Sequence, residues 1–209
     1  MKRRTLLKGL ILSLLPNSVF ANKKGEKSMQ KALILVDFQN DYFEGGMMTL
    51  NGITEALKNA NLLIKEAKKN NWKIYTIQHF STRKEATFFL PNTKGVELHN
   101  DLDTKDTTII KKHFPNSFRE TNLQKELQKF NILELVICGA MTHMCIDTTV
   151  RAGFDLGYKI TLAHDACATK DLKFKDREIK AKDVHDSFIS ALGSVFCEVK
   201  DTRKIVSKI

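Results

Sequence analysis

Five consecutive apolar residues, Ala32-Leu33-Ile34-Leu35-Val36, end at a carboxylate, Asp37. A run of that length with no polar alternation has to be buried on both faces, the pattern of a central strand in a parallel sheet. The chain then repeats the theme. Residues 54–70 place Ala56, Ala60, Leu63, Ile64 and Ala67 on one helical stripe with charge opposite. Further strands are predicted over 72–78, 107–110, 134–138, 158–163 and 194–199, and helices over 122–130, 145–156 and 183–192. Strands alternating with amphipathic helices define the α/β class, here a Rossmann-like three-layer α/β/α sandwich around a six-stranded, mostly parallel sheet. No internal repeat or second domain interrupts the stretch 31–209. Residues 81–106 are long and irregular, as a lid or interface loop would be.

Residues 1–21 stand apart from this pattern. Lys2-Arg3-Arg4 precedes the apolar run Leu10-Ile11-Leu12-Ser13-Leu14-Leu15, and Val19-Phe20-Ala21 offers a cleavage site. This is the layout of an export signal. The string Arg3-Arg4-Thr5-Leu6-Leu7-Lys8 resembles the twin-arginine type, which implies a periplasmic or otherwise exported protein. The apolar run falls short of the roughly 20 residues of a stable membrane span. Residues 22–30 read as a spacer. Met29 offers an alternative start, which would make the protein cytoplasmic.

The net charge of +10 would suit a nucleic-acid binder, but Lys2, Arg3, Arg4 and Lys8 account for four of it and leave +6. The other lysines are spread out with no basic block and no interleaved aromatics, so no nucleic-acid partner is expected. No G-x-G-x-x-G follows the first strand, which removes a dinucleotide site.

In such sheets ligands bind outside the carboxyl ends of the strands. Polar residues gather there: Asp37 after strand one, Lys111 and Lys112 after strand three, and the turn from Gly139 to Cys145 after strand four. A cysteine where a helix begins has its thiolate stabilised by free N–H groups and the helix dipole, which lowers its pKa. The same N–H groups can hold an oxyanion. A nucleophilic cysteine also needs a base and a cation. Taken singly, Asp37 suits a turn cap, Lys112 a surface lysine and Cys145 a small buried residue. Their conjunction at one sheet edge is what points to chemistry.

Three segments carry a resemblance: Leu35-Val36-Asp37-Phe38-Gln39-Asn40-Asp41, Ile110-Lys111-Lys112-His113-Phe114-Pro115-Asn116-Ser117-Phe118, and Cys138-Gly139-Ala140-Met141-Thr142-His143-Met144-Cys145-Ile146-Asp147. In that order and spacing the chain resembles the isochorismatase-like superfamily, cysteine-hydrolase (amidase-type) branch. The resemblance implies Asp37 as base, Lys112 as the catalytic lysine, chosen over Lys111 by its spacing to Ser117-Phe118, and Cys145 as nucleophile. It implies a cis peptide between Ala140 and Met141, and an oxyanion hole from the Met141 and Cys145 N–H groups. Gln39, Asn40 and His143 are candidate pocket residues, and Phe43, Phe88 and Phe89 a candidate apolar wall. A small-molecule substrate and a homo-oligomer are family expectations.

Nicotinamidases of the superfamily bind a metal through Asp-x-His-x-x-His, whereas this chain reads Gln78-His79-Phe80-Ser81-Thr82-Arg83. His79, His99 and His113 make no ligand set by spacing, so no metal and no other cofactor is expected. True isochorismatases cleave a vinyl ether and lack the nucleophilic cysteine, so Cys145 favours cleavage of a C–N bond. A vinyl-ether hydrolase and a catalytically silent binding protein are the alternatives. Cys138, Cys145, Cys167 and Cys197 lack a C-x-x-C pair and are expected to be free thiols.

Overall fold

Each of the six predicted strands overlaps a strand of one sheet in the computed structural model, which describes residues 30–206. The predicted export segment, Met29 and nearly all of the spacer lie outside those residues. The strands are β1 (Gln30–Val36), β2 (Lys73–His79), β3 (Thr108–Lys112), β4 (Ile132–Ala140), β5 (Lys159–Ala168) and, after the β6–β7 hairpin (Leu172–Phe174, Arg177–Ile179), β8 (Glu198–Lys200). The helices are α1 (Ile53–Lys69), α2 (Leu123–Lys129), α3 (Asp147–Asp155), α4 (Ala181–Val195) and α5 (Thr202–Val206). The sheet order is β3-β2-β1-β4-β5-β8, and every neighbouring pair in it is parallel.

The order explains the layers. From β1 the chain crosses one way to β2, and from β4 it crosses the other way to β5. Right-handed crossovers in opposite directions put α1 and α3 on opposite faces. α5 packs beside α1, and α4 beside α3. Covered on both sides, Ala32 to Val36 are fully buried. The direction reverses between β1 and β4, so the crevice outside their carboxyl ends is the natural place for a ligand.

Gly139 sits at that crevice because nothing larger fits. Its φ is +130°, and a Cβ there would stand 2.0 Å from the Val36 carbonyl oxygen. Gly139→Ala is therefore expected to lose on the order of 3 kcal/mol of stability, from positive-φ strain and a clash with backbone. Urea unfolding measures it, and a loss below about 1 kcal/mol would refute the clash.

Two boundaries depart from the sequence reading. The helix expected from residue 145 starts at Asp147, because Thr142–Ile146 form a π-helical turn first. The last strand, expected over 194–199, is only Glu198–Lys200. α4 continues to Val195, and the N–H groups of both Phe196 and Cys197 still donate to the Leu192 carbonyl. Val195 is 62% exposed, so the apolar signal there marked a helix surface rather than a buried strand. The β6–β7 hairpin is three residues a side and mostly exposed, too short and polar to leave a periodic trace. Among the described residues no helix is long and apolar enough to cross a membrane.

Candidate active site

Three strand ends meet at the crevice. Asp37 follows β1 in the left-handed conformation (φ 55°), which an aspartate tolerates better than most residues. Its N–H donates to the Ile77 carbonyl at 3.1 Å, and its own carbonyl accepts from the Gln39 N–H at 2.9 Å. Lys112 ends β3, two strands away. Its side chain and that of Asp37 are 0% exposed, and Nζ stands 2.8 Å from Asp37 Oδ2. The same ammonium donates to Cys145 Sγ at 3.1 Å, lies 3.0 Å from His79 Nδ1, and reaches the Phe114 and Pro115 carbonyls at 3.3 and 3.4 Å. Lys111 instead faces outward, exposed, over the Phe80 ring. Alternation along β3 sends one lysine in and the other out.

Burial opposes the charge on Lys112, but Asp37 and Cys145 outweigh it and hold the ammonium pKa above its usual value. Cys145 departs from expectation. Burial pushes its thiol up to about 12, with Lys112 pulling down and Asp37 pushing up. It lies inside the π turn, two residues short of α3 and 4% exposed, rather than on a helix terminus open to solvent. The resting cysteine is a protonated thiol. Asp37 is placed to receive that proton: Oδ1 has no hydrogen-bond partner, Oδ2 meets only the Lys112 ion pair, and a carboxylate oxygen lies within 4.8 Å of Sγ.

His79 is the residue that sequence reasoning missed. It ends β2, in register with Lys112 on β3. Burial lowers its pKa to about 4, Asp37 opposes this, and Lys112 adds to it. The imidazole is thus neutral and accepts from Lys112 through Nδ1. Asp37, His79 and Cys145 bring three ligand atoms within 4.8 Å of one another, a set able to hold a metal ion. The Lys112 ammonium touches all three, so the chain supplies its own cation at their common focus. The folded imidazole titrates below the 6.5 of an unfolded one, so its stabilising effect is whole above pH 6.5. It is lost as the pH falls toward 4, because the unfolded chain binds the proton first. His79→Gln should flatten the decline of stability between pH 6.5 and 4 in urea unfolding, and an unchanged slope would contradict the assignment.

A cavity of about 210 Å³ opens on Cys145 and His79. Its walls are Tyr42, Phe88, Phe89, Phe114, Met141 and Met144, with Ser81, Thr82, Arg83, Pro115 and His113 completing the lining. The irregular segment 81–106 therefore builds one wall. Asp41 fastens it: Oδ2 accepts the Phe89 N–H at 2.6 Å and Oδ1 the Met47 N–H at 3.2 Å.

Of the six residues offered as pocket lining, Phe88 and Phe89 line this cavity, whereas Gln39, Asn40, Phe43 and His143 lie elsewhere, Asn40 donating to the Lys94 carbonyl at 2.8 Å. Gln39 is fully buried as a strut, donating to the His79 and Val96 carbonyls and accepting from the His79 N–H. Phe43 stacks on His99, with centroids 3.9 Å apart, beside a separate pocket. The His143 Nδ1 pairs with Thr169 Oγ1 at 2.6 Å. These partners lie 26 to 57 residues away, too far for spacing to reveal. The Ala140–Met141 peptide is cis. The Met141 carbonyl accepts from the Met144 and Ile146 N–H groups, at 3.0 and 3.1 Å, and the Cys145 N–H between them is not among its donors.

The family description "Isochorismatase domain" matches residues 31–192. The chain belongs to the isochorismatase family. It is a hydrolase of that family, with the family's six-stranded parallel sheet. It is similar to the uncharacterized isochorismatase family protein YddQ of Bacillus subtilis, 42% identical over 175 residues that cover 83% of this chain and 97% of YddQ. An isochorismatase hydrolase-type structure from Oleispira antarctica matches with a TM-score of 0.82 at 39% identity, covering 86% of this chain and 97% of that one. The streptothricin hydrolase of Streptomyces noursei is 27% identical over 165 residues, covering 78% of this chain and 56% of its own length.

Proposed function

We propose that this hydrolase cleaves the C–N bond of a small amide, ureido or carbamoyl compound through a thioester on Cys145. The observation that carries the reading is the buried Lys112 ammonium, which touches the Asp37 carboxylate and the Cys145 sulfur together. A base and a nucleophile bridged by one fixed cation can exchange a proton without separating charge in a dry site.

Because the thiol is raised to about 12, the nucleophile forms as it attacks rather than waiting as a thiolate. Asp37 takes the Sγ proton while sulfur bonds to the carbonyl carbon. The carbonyl oxygen becomes an oxyanion held by the N–H groups of Met141 and Cys145. The C–N bond then breaks, and the departing ammonia or amine takes the proton from Asp37. Water enters, gives a proton to Asp37 and attacks the thioester. The C–S bond breaks, the acid leaves, and the sulfur recovers its proton from Asp37. Lys112 stays an ammonium throughout and offsets whichever partner carries the negative charge. His79, held neutral by burial, accepts from it and keeps it centred.

The test is an ammonia-release screen over small amides, ureido acids and carbamoyl compounds, with acid-quenched samples read by intact mass. A turned-over compound that leaves its acyl mass on the Cys145 peptide is the expected result. Turnover without any adduct on Cys145, or cleavage confined to vinyl ethers, would overturn the reading.

The N-terminal sequence supports a second proposal, that the enzyme is exported with cleavage after Ala21. N-terminal sequencing of the native protein should begin at Asn22, and a start at Met29 would refute it.

A further inference from the structure

From the charges around the cavity, and resting on the hydrolase reading above, we infer that the substrate is an anion whose carboxylate is held by Arg83. The cavity lining contains no aspartate or glutamate, and Arg83 is its one formally charged residue. Asp37 and Lys112 stand behind Cys145 and neutralise each other. What the cavity presents to an entering molecule is therefore a net positive charge, with the neutral His79 and the exposed His113 beside it. The His113 Nδ1 is engaged with the Phe80 carbonyl at 3.0 Å.

Arg83 is also uncommitted. Among the described residues its guanidinium forms no ion pair, hydrogen bond or ring contact, although Lys31, Lys58, Lys68, Arg119 and Arg151 all have acidic partners. Its charge is felt at the site all the same, since it adds to the lowering of the His79 pKa, after burial, Lys112 and His113. A planar guanidinium with free donors at the mouth of an aromatic cavity is suited to take a carboxylate by two parallel hydrogen bonds. The size of the cavity, about 210 Å³, restricts the rest of the molecule. It admits a short acid in which the carboxylate and the scissile carbon are separated by a few atoms. The aromatic walls line that interval. Arg83 is then the specificity-determining residue, selecting acids over their neutral analogues.

A test that needs no knowledge of the substrate uses two reagents of nearly equal size, the anion iodoacetate and the neutral iodoacetamide. In each the Cys145 sulfur bonds to the CH₂ carbon, iodide leaves with the electron pair of the C–I bond, and the thiol proton passes to Asp37. Rates are read on the Cys145 peptide by mass spectrometry, as the ratio of iodoacetate to iodoacetamide. Arg83 is exposed, so substitution leaves the fold alone. In Arg83→Gln the ratio should fall about tenfold with the iodoacetamide rate little changed, because the cavity loses the charge that concentrates small anions in it. Arg83→Lys should keep most of the ratio. Raising the salt concentration should lower the wild-type ratio and leave that of Arg83→Gln nearly constant.

A ratio that moves less than about threefold in Arg83→Gln overturns the assignment of Arg83 while leaving Cys145 chemistry intact. If neither reagent labels Cys145, the nucleophile itself is refuted and the anion site falls with it.

Discussion

Cys145→Ala should retain the fold and lose turnover by on the order of 10⁴-fold or more, the scale seen when the nucleophile of a catalytic triad is removed. The separation of the two effects is the point of the experiment. Sγ is a single buried atom, and Lys112 keeps Asp37 and His79 as partners once it is gone. Losing one acceptor and opening a small cavity should destabilise by only about 1–2 kcal/mol. Cys145→Ser places a hydroxyl within reach of Lys112, so it should melt close to wild type yet remain almost inactive. The measurements are kcat/KM on a compound from the ammonia-release screen and thermal unfolding of the same samples. Activity in Cys145→Ala near that of wild type would place the nucleophile elsewhere.

Lys112→Met should act on stability and on activity at once. Asp37 and Lys112 are both 0% exposed. Removing the ammonium leaves a buried carboxylate whose second oxygen already lacks a partner. Breaking a buried pair from one side costs about 3–5 kcal/mol, because the remaining charge keeps its desolvation penalty and loses its compensation. Met matches the length of the lysine stem, so the packing of β3 changes little. Adding Asp37→Asn removes the stranded charge and should return most of the stability. It should return none of the activity, because base and cation are then both gone. A double-mutant cycle in urea unfolding reads the coupling directly. Should the double variant be as unstable as the sum of the singles, the pair is not acting as a buried ion pair.

The two variants separate residues that the sequence treated alike. Asp37, Lys112 and Cys145 were visible because each ends a strand or opens the turn after one, and the apolar runs were strong enough to mark those ends. Gly139 was part of the same legible pattern, although only the 2.0 Å approach to Val36 explains why the position is glycine. His79 was overlooked because its role depends on the parallel register of β2 against β3, which puts it beside Lys112 from 33 residues away. The spacing rules that look for histidines along one segment cannot see a partner on the next strand. Gln39 misled for the complementary reason. Its neighbour Asp37 is in the site, but its own amide is spent holding the end of β2 and the loop at Val96.

The apolar run with which the chain announces itself, together with the alternation that follows, was enough to determine the α/β class, the sheet and the three strand ends where chemistry gathers. Those are consequences of burial pattern and of short-range backbone preference, both written locally. The protonation state of the Cys145 thiol was not. A cysteine near a helix start suggested a lowered pKa, and the tertiary structure reversed the direction. Whether a thiol is charged depends on how much water it has lost and on which charges stand within a few ångströms. At Cys145 burial exceeds the pull of Lys112. The neutral His79, the struts Gln39 and Asp41 and the wall built by residues 81–106 were likewise decided only by the fold, because each depends on partners far away along the chain.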